Sequence, residues 1–304
     1  MAWVERQQPK GDEVFLDHVG WFVGDLDAAA AELERLGFRV SPENVHMNRQ
    51  ADGSQLPSGT VNRLATPALG YLEFLGARGD TPLARQHAAQ LARYEGLHLL
   101  AFASADVPAE APRLAAEGFR PLDPVDMRRD AVTANGVRES RFSVLRVPPD
   151  AMPEGRIQWC GHGTPDLVWQ PGGTAQPNGV EALTGALWLV DDVDEALDRY
   201  SRFVRKPARR IGPDVGVVDL ERGVLVFAKD GAAFGLSDAP ATRPFGACVA
   251  LRVADLAATQ VFFEAAGVAF TDMPAGLLAR PTFGGALLFT ESAQPWSAST
   301  APAR

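Results

Sequence analysis

The sequence predicts an α+β fold made of four copies of one β-α-β-β-β unit. Three observations lead to this prediction: one pattern of segments occurs four times, each predicted helix starts at an Asp, and three of the four helices run into a Gly. The Asp residues are Asp25, Asp106, Asp192 and Asp255, and the Gly residues are Gly37, Gly118 and Gly267. An Asp at this position accepts hydrogen bonds from the free N–H groups of the first helical turn. Gly tolerates the left-handed conformation that ends many helices.

Each copy starts with an apolar strand, turns at the Asp and continues as a helix rich in Ala and Leu. The copies begin at His18, His98, Gly185 and Cys248 and read HVGWFVGDLDAAAAELERLGFRV, HLLAFASADVPAEAPRLAAEGFRPL, GALWLVDDVDEALDRYSRFVRKPARRI and CVALRVADLAATQVFFEAAGVAF. After each helix come three short segments bounded by Gly, Pro or Asp, which is typical of β-strands joined by turns. The last of these strands is GYLEFLGA in the first copy and RIQWCGH in the second.

A segment rich in Pro and Gly, GTPDLVWQPGGTAQPNG, separates the second copy from the third. Such a segment, without hydrophobic periodicity, favours a linker. We therefore expect an N-terminal domain at 1–170, a linker at 171–180 and a C-terminal domain at 181–293. The remaining residues, 294–304, are predicted to form a flexible tail.

The composition restricts the classes of partner and compartment. The chain of 304 residues is 46% hydrophobic and 22% charged, which is typical of a globular protein. A formal net charge of −9 argues against a nucleic-acid partner and against anionic membrane surfaces. Two distant cysteines fit a reducing compartment, and no segment has the apolar length of a signal peptide or a membrane span. We expect a cytoplasmic protein that binds a small molecule.

The repeated β-α-β-β-β arrangement resembles the vicinal oxygen chelate (VOC) superfamily, and the strings FLDHVGWFV, GTVNRLA and YLEFLG look like its glyoxalase-like domains. This superfamily includes glyoxalase I, the bleomycin- and fosfomycin-resistance proteins and the extradiol dioxygenases. The resemblance covers essentially the whole chain as four modules. It implies that the modules pair into two glyoxalase-like domains, each a half-open mixed sheet around a shared pocket.

The resemblance also implies a metal site, because members of the superfamily carry metal ligands on the first and last strands of two paired modules. Transferred residue by residue, these positions in the N-terminal pair are His18, Glu73, His98 and Gln158. In the C-terminal pair they are Gly185, Val226, Cys248 and Leu288, so that pair has lost the set. The implied cofactor is one divalent metal ion, with Fe, Mn, Ni, Co and Zn all open.

The residue types in the N-terminal pair agree with such a site. Two imidazoles and one carboxylate are ligands of borderline divalent metals, and Glu73 has apolar neighbours, so an inward carboxylate there needs a partner. The alternative is that both histidines are core residues bonded to backbone and that Glu73 faces solvent. Gln158 departs from glyoxalase-type enzymes, because an amide cannot accept a proton near neutral pH. The candidate catalytic residues are Glu73 and His162.

Four further residues are candidates for substrate binding: Asn62, Tyr71, Phe102 and Arg156. Each has an ordinary alternative: the Asn could cap a turn, the two rings could face away from the pocket, and the Arg could lie on a solvated face. His162 could instead be a strand-end residue in solvent, which is the commonest position for a His beside two glycines, and we expect His46 and His87 on the surface. Cys160 is expected to be a buried thiol.

Two functions are open from the sequence. The first is a divalent-metal-dependent VOC enzyme that acts on vicinal oxygens of a small substrate, as a lyase, an isomerase or a dioxygenase. The second is a metal-free protein of the bleomycin-resistance type, which sequesters an apolar or aromatic ligand in the same pocket. The C-terminal pair could line the pocket, form a homodimer surface or stabilise the first pair.

Overall fold

The computed structural model describes residues 4–49 and 54–296 of the chain. The first module contains β1 (Phe15–Phe22), α1 (Leu26–Arg35), β2 (Asn44–Arg49), β3 (Gln55–Ala65) and β4 (Tyr71–Ala77). A connecting helix, α2 (Pro82–Leu91), leads to the second module, with β5 (Gly96–Ala103), α3 (Val107–Ala116), β6 (Val125–Thr133), β7 (Gly136–Arg146) and β8 (Arg156–His162). The α+β class is confirmed, and α2 is an addition that the repeat pattern does not predict.

The third and fourth modules have the same order of elements. The third contains β9 (Val180–Leu189), α4 (Val193–Val204), β10 (Ala208–Gly212), β11 (Val215–Asp219) and β12 (Val224–Ala228). The fourth contains β13 (Phe245–Val253), α5 (Leu256–Ala266), β14 (Phe270–Met273), β15 (Gly276–Ala279) and β16 (Ala286–Thr290). Short 3₁₀ turns at Pro165–Leu167 and Ala232–Phe234 follow the second and third modules.

All four module helices begin, and three of them end, as the sequence predicts. The Asp before each helix accepts hydrogen bonds from backbone N–H groups of the first turn, as at Asp25, Asp106, Asp192 and Asp255. The three predicted glycines have positive φ angles of 83°, 84° and 64°, at Gly37, Gly118 and Gly267. The third-module helix, which lacks such a Gly, ends at Arg205 with φ of 50°.

All described strands belong to one open sheet with two similar halves. In the N-terminal half, formed by modules one and two, the order is β2-β3-β4-β1-β5-β8-β7-β6. In the C-terminal half the order is β10-β11-β12-β9-β13-β16-β15-β14. In each half the first strands of the two modules pair antiparallel, and each runs parallel to the last strand of its own module. The halves join where Leu97 on β5 pairs with Gly246 on β13.

One hydrophobic core lies between the sheet and the four module helices. It contains Leu33 from α1, Leu114 from α3, Phe203 from α4 and Phe263 from α5. Because helices of both halves contribute to the same core, the halves are packed against each other and not merely connected. The segment between β8 and β9, in which we predicted the linker, contributes the buried Asn178, which donates to the carbonyl of Leu36.

The other face of the C-terminal sheet is filled with apolar side chains. These include Val226, Cys248 and Leu288, together with Trp296, which is 4% exposed. A Cβ atom at Gly185 would lie 2.9 Å from the Trp296 ring, so a larger residue there would collide with it. Residues 297–304 of the predicted tail lie outside the described residues. No helix within the described ranges is long and apolar enough to cross a membrane.

Candidate active site in the N-terminal half

A pocket opens on the face of the N-terminal sheet that lies away from the helices. Along β4, Tyr71, Glu73 and Leu75 line this pocket, whereas Leu72 and Phe74 belong to the core on the other side. This alternation is the period of two that a β-strand imposes. The space between the lining residues, counted together with the solvent at its open mouth, is about 860 Å³.

Glu73 is the centre of the polar part of the pocket, and its side chain is buried. His18 Nε2 lies 3.7 Å from Glu73 Oε2, and His46 Nε2 lies 3.8 Å from Glu73 Oε1. Asn62 Nδ2 donates a hydrogen bond of 2.6 Å to Glu73 Oε1. Side-chain nitrogens from β1, β2 and β3 therefore converge on one carboxylate of β4.

The second ring nitrogen of each histidine is also held. His18 Nδ1 lies 2.7 Å from Asp17 Oδ2, and His46 Nδ1 lies 2.9 Å from Thr60 Oγ1. Because an ionised carboxylate only accepts hydrogen bonds, His18 Nδ1 carries a proton, and in the neutral form of this imidazole Nε2 presents its lone pair to the pocket. Tyr71 stacks on the His18 ring with 4.2 Å between centroids and restricts its orientation.

The protonation states suit a metal-binding site. Burial acts to raise the pKa of the Glu73 carboxyl, but the neighbouring imidazoles, the Asn62 amide and the Arg156 charge together lower it below its ordinary value. Burial lowers the pKa of His46 to about 4, and attraction to Glu73 opposes this only in part. At neutral pH the carboxylate is ionised and His46 is neutral, which are the forms that bind a metal ion. His18, His46 and Glu73 could therefore hold a borderline divalent cation.

A second polar cluster, made of Asp17, Cys160 and His162, contacts His18 through Asp17. Asp17 accepts from His162 Nε2 at 2.9 and 3.0 Å as well as from His18, and Cys160 Sγ lies 3.8 Å from the same His162 nitrogen. Asp17, Cys160 and His162 form a group of metal-type side chains whose possible ligand atoms all lie within 4.8 Å of one another. However, two N–H donors already occupy the carboxylate, and burial raises the pKa of Cys160 well above its ordinary value. The cluster is therefore better suited to orienting His18 than to binding a metal.

The wall that module two contributes is cationic. Arg146 on β7 donates from Nε to Gln158 Oε1 on β8 at 3.3 Å. Arg156 is buried, and its guanidinium lies over the Phe22 ring at 5.0 Å. Its Nε and Nη2 atoms make no hydrogen bond to any residue that the structure describes. Burial, with a contribution from Arg146, lowers the pKa of Arg156 to about 9, so this side chain is still charged at neutral pH.

Comparison with known proteins places this arrangement in a family. The sequence profile of the glyoxalase-like domain family matches residues 16–204, which is more than half of the chain. The chain belongs to the glyoxalase-like domain family. Its fold is of the VOC type, as the resemblance predicts. No curated protein sequence matches this glyoxalase-like chain.

Solved structures share the fold at low sequence identity. A hypothetical protein from Staphylococcus aureus is similar over 91% of this chain and 98% of its own, with a TM-score of 0.62 and 10% identity. A mutant of 4-hydroxymandelate synthase from Streptomyces coelicolor is similar over 91% of both chains, with a TM-score of 0.53 and 15% identity. A fusion of a xylose isomerase-like TIM barrel with 4-hydroxyphenylpyruvate dioxygenase is similar over 93% of this chain and 49% of its own, with a TM-score of 0.53 and 12% identity. At such low sequence identity, these similarities show a shared glyoxalase-like fold and nothing more.

The glyoxalase-like fold brings most of the predicted site residues together. The predicted residues that line the pocket are His18, Asn62, Tyr71, Glu73, Arg156 and Gln158. His162 borders an adjoining cavity and reaches the pocket through Asp17 and His18. It is buried, so the alternative of a solvent-exposed strand end does not apply.

His98 is not brought to this group, and its prediction as a metal ligand is corrected. Its ring stacks on Tyr94 with 3.9 Å between centroids, and Nε2 donates to the Tyr94 carbonyl at 2.7 Å. The ring is fully buried and also lies against Phe22. Burial lowers its pKa to about 4. His98 is therefore a core histidine bonded to backbone, which is the alternative that the sequence left open.

The reason is a β-bulge in β5. On β1, Gly20 pairs with Glu73, and His18 lies two residues before Gly20. On β5, Ala101 pairs with Gln158, and Leu99 lies two residues before Ala101. Leu99 therefore holds the place equivalent to His18. His98 is the extra residue that the pairing of β1 with β5 skips, and a bulge of this kind changes the direction of a side chain.

Phe102, predicted as a substrate-binding residue, is also corrected. Its ring is in the core, where it lies 5.8 Å from the Trp159 ring and 5.9 Å from the Phe203 ring. Ala101, the residue before it, belongs to the small apolar cluster on the pocket face. Strand alternation therefore places Phe102 on the helix side of the sheet.

Sequence reasoning did not find the roles of His46, Asp17 and Arg146. His46 was expected on the surface but lines the pocket, and His87, expected there as well, is 1% exposed. Asp17 directly precedes His18, and in a regular strand the two side chains would point to opposite faces. A second irregularity in the β1–β5 pairing falls at Asp17 and lets both side chains meet. The alternation of β2 and β7 could have indicated His46 and Arg146, but a single sequence does not show which face is the pocket.

Proposed function

We propose that this glyoxalase-like protein is a divalent-metal-dependent VOC enzyme acting on a small molecule, with His18, His46 and Glu73 as its metal ligands. One observation carries the proposal: two imidazole Nε2 atoms face one buried carboxylate within 3.8 Å, while a hydrogen bond at each Nδ1 fixes both rings. Two imidazoles and one carboxylate leave open positions for substrate and water. His46 takes the role that the sequence assigned to His98.

The chain's own residues would prepare the site in three ways. Asp17 keeps His18 in the tautomer with a free Nε2, Asn62 holds one Glu73 oxygen, and the cationic wall attracts the substrate. The metal, when bound, would act as a Lewis acid on adjacent substrate oxygens. Gln158 would contribute a hydrogen bond and no proton transfer.

The pocket favours a dioxygenase-type reaction over a lyase or isomerase. Glu73 is the only carboxylate among the described residues that line the pocket. Once it serves as a ligand, no second carboxylate is present there to move a proton between substrate carbons. An oxygenation needs open metal positions more than it needs such a base. Dioxygen uptake by the metal-loaded protein during a screen of organic acids would test this choice.

Elemental mass spectrometry of protein purified without chelator or tag-derived metal tests the metal site. We expect about one equivalent of a transition metal per chain in the wild type, and a loss of most of it in His18→Ala and His46→Ala, because each removes one of three ligands. His98→Gln is the matched control, since it removes a buried imidazole from the same sheet but should retain the metal.

The opposite pattern would decide against the proposed ligands. Loss of metal from His98→Gln together with retention in His46→Ala would restore the sequence-based set. A wild type that neither contains nor takes up a metal would favour the metal-free binding protein. That second function has its own support, because the apolar side chains and the cationic wall of the pocket could retain a ligand without any metal.

A further inference from the structure

The pocket is strongly cationic although the protein is acidic. Its lining contains four arginines, at Arg128, Arg129, Arg146 and Arg156, against the single described carboxylate of Glu73. The chain as a whole has a formal net charge of −9. Positive charge concentrated in one cleft of an acidic protein attracts anions to that cleft and not elsewhere.

Arg156 is the strongest sign that a ligand anion is needed. Its side chain is 8% exposed and lines the pocket, but Nε and Nη2 have no partner among the described residues. A buried guanidinium without an anion is costly, because it has lost its hydration and gained no hydrogen bonds. Arg128, in contrast, forms an ion pair with Glu139.

The amide of Gln158 leaves the charges of Arg146 and Arg156 available to a ligand. Arg146 and Gln158 are paired across β7 and β8, and Arg156 lies two residues before Gln158 on the same face. Gln158 holds the place in module two that Glu73 holds in module one. A carboxylate at this place would neutralise both arginines, whereas an amide orients Arg146 and leaves the positive charge for a ligand.

The two halves of the pocket therefore differ in sign. Module one provides the acidic, metal-type end at Glu73 on β4, and module two provides the basic end on β8. β1 and β5 lie between those two strands in the sheet, and Leu75, Leu99 and Val144 form an apolar cluster on this face. A ligand that fits all three parts has an anionic group, an apolar body and a second polar end.

We propose that the substrate is an organic acid whose oxyanion, a carboxylate or a phosphate monoester, binds Arg146 and Arg156 while its apolar body covers Leu75 and Leu99. The assignment of a substrate, and not only a ligand, rests on the proposed function. The oxyanion subsite itself needs no metal, because none of its residues belongs to the proposed ligand set.

The test is calorimetric titration of the full chain after removal of metal with EDTA. The carboxylate probes are benzoate and phenylacetate, their neutral controls are benzamide and phenylacetamide, and phenyl phosphate represents the phosphate esters. We expect at least one anionic probe to bind about 10-fold or more tightly than its neutral control. The ratio of carboxylate to phosphate affinity then distinguishes the two kinds of acid.

Four variants connect this binding to the arginines. Arg146→Met and Arg156→Met should each weaken binding by about 10- to 100-fold, since each removes charged hydrogen bonds. Gln158→Glu should weaken it to a similar extent while retaining both arginines, so its effect does not depend on a cavity in the core. Arg138→Met is the matched control, because this β7 arginine forms an exposed ion pair with Asp166 outside the pocket. It should change the affinity by less than about 2-fold.

The inference is overturned if no anionic probe binds, if the neutral probes bind equally well, or if Arg156→Met and Gln158→Glu bind like the wild type. These outcomes are independent of the metal measurement. An intact oxyanion subsite in a protein that never binds metal would refute the proposed enzyme and keep the subsite. A protein that contains metal but does not discriminate anions from neutral probes would refute the oxyanion subsite and leave the proposed enzyme standing.

Discussion

Asp17 shows, at the scale of a single residue, how one buried carboxylate organises a site. It is 0% exposed and accepts hydrogen bonds from both His18 and His162. Burial acts to raise its pKa, but the two imidazoles more than offset this and hold the pKa well below its ordinary value. Its negative charge is therefore part of the folded state, and it determines which nitrogen of His18 faces the pocket.

Asp17→Asn should weaken metal binding by about 10- to 100-fold without removing any proposed ligand. The Asn side chain cannot accept strongly from two imidazoles, so the tautomer of His18 is no longer fixed. Metal titration gives the affinity, and long-range ¹H–¹⁵N spectra of the imidazole rings report the tautomer directly. Asp166→Asn, which removes an exposed carboxylate, should change neither. An unchanged His18 spectrum in Asp17→Asn would show that Tyr71 and the backbone suffice to orient the ring.

At the scale of elements, the regular features follow from sequence and the irregular ones do not. The helix starts at Asp25 and Asp192 could be predicted because capping depends on one side chain and its nearest backbone neighbours. The place of Glu73 could be predicted because β4 alternates regularly. His98 could not be placed, since one extra residue in the pairing of β1 and β5 moves the equivalent position to Leu99. Bulges depend on strand pairing across the sheet, which short-range patterns do not encode.

The stability of the protein should be sensitive to mild acid because of His87, a buried residue of α2. This ring stacks on Phe22 at 4.4 Å and donates to the Leu75 carbonyl at 3.1 Å. Burial, with a contribution from Arg156, lowers its pKa to about 4. Because the folded-state pKa lies below the unfolded value near 6.5, the unfolded chain binds the proton first. The contribution is complete above about pH 6.5 and is lost as the pH falls towards 4.

Urea unfolding at pH 7 and pH 5 measures this effect. Protonation of His87 in the unfolded chain should lower the free energy of unfolding by about 2 kcal/mol between pH 7 and pH 5. His87→Gln can still donate to the Leu75 carbonyl but does not titrate, so its loss of stability over the same range should be smaller by about that amount. Between pH 7 and pH 8 the two proteins should show the same slope. Equal losses at pH 5 would mean that the ring is protonated without unfolding.

At the scale of the whole molecule, the two halves have the same order of strands and module helices but different contents. The N-terminal half keeps an open pocket with charged walls, whereas apolar side chains and Trp296 fill the same face of the C-terminal half. At the position equivalent to His18, the C-terminal half has Gly185, which the Trp296 ring covers. The two halves share one core and one sheet. We infer that the C-terminal half stabilises the N-terminal half.

Trp296→Ala tests this division of roles. Removal of a buried indole should lower the free energy of unfolding by about 3–5 kcal/mol, because the apolar cluster around Phe234 and Gly185 loses its cover and a cavity forms. Metal content and the affinity of the N-terminal pocket for the anionic probe that binds should remain within about 2-fold of the wild type, since distant sites behave independently. Val261→Ala, an exposed change on α5 of the same half, should alter neither stability nor binding. If Trp296→Ala remained folded but lost metal or the anionic probe, the C-terminal half would shape the site, and its role would extend beyond support of the fold.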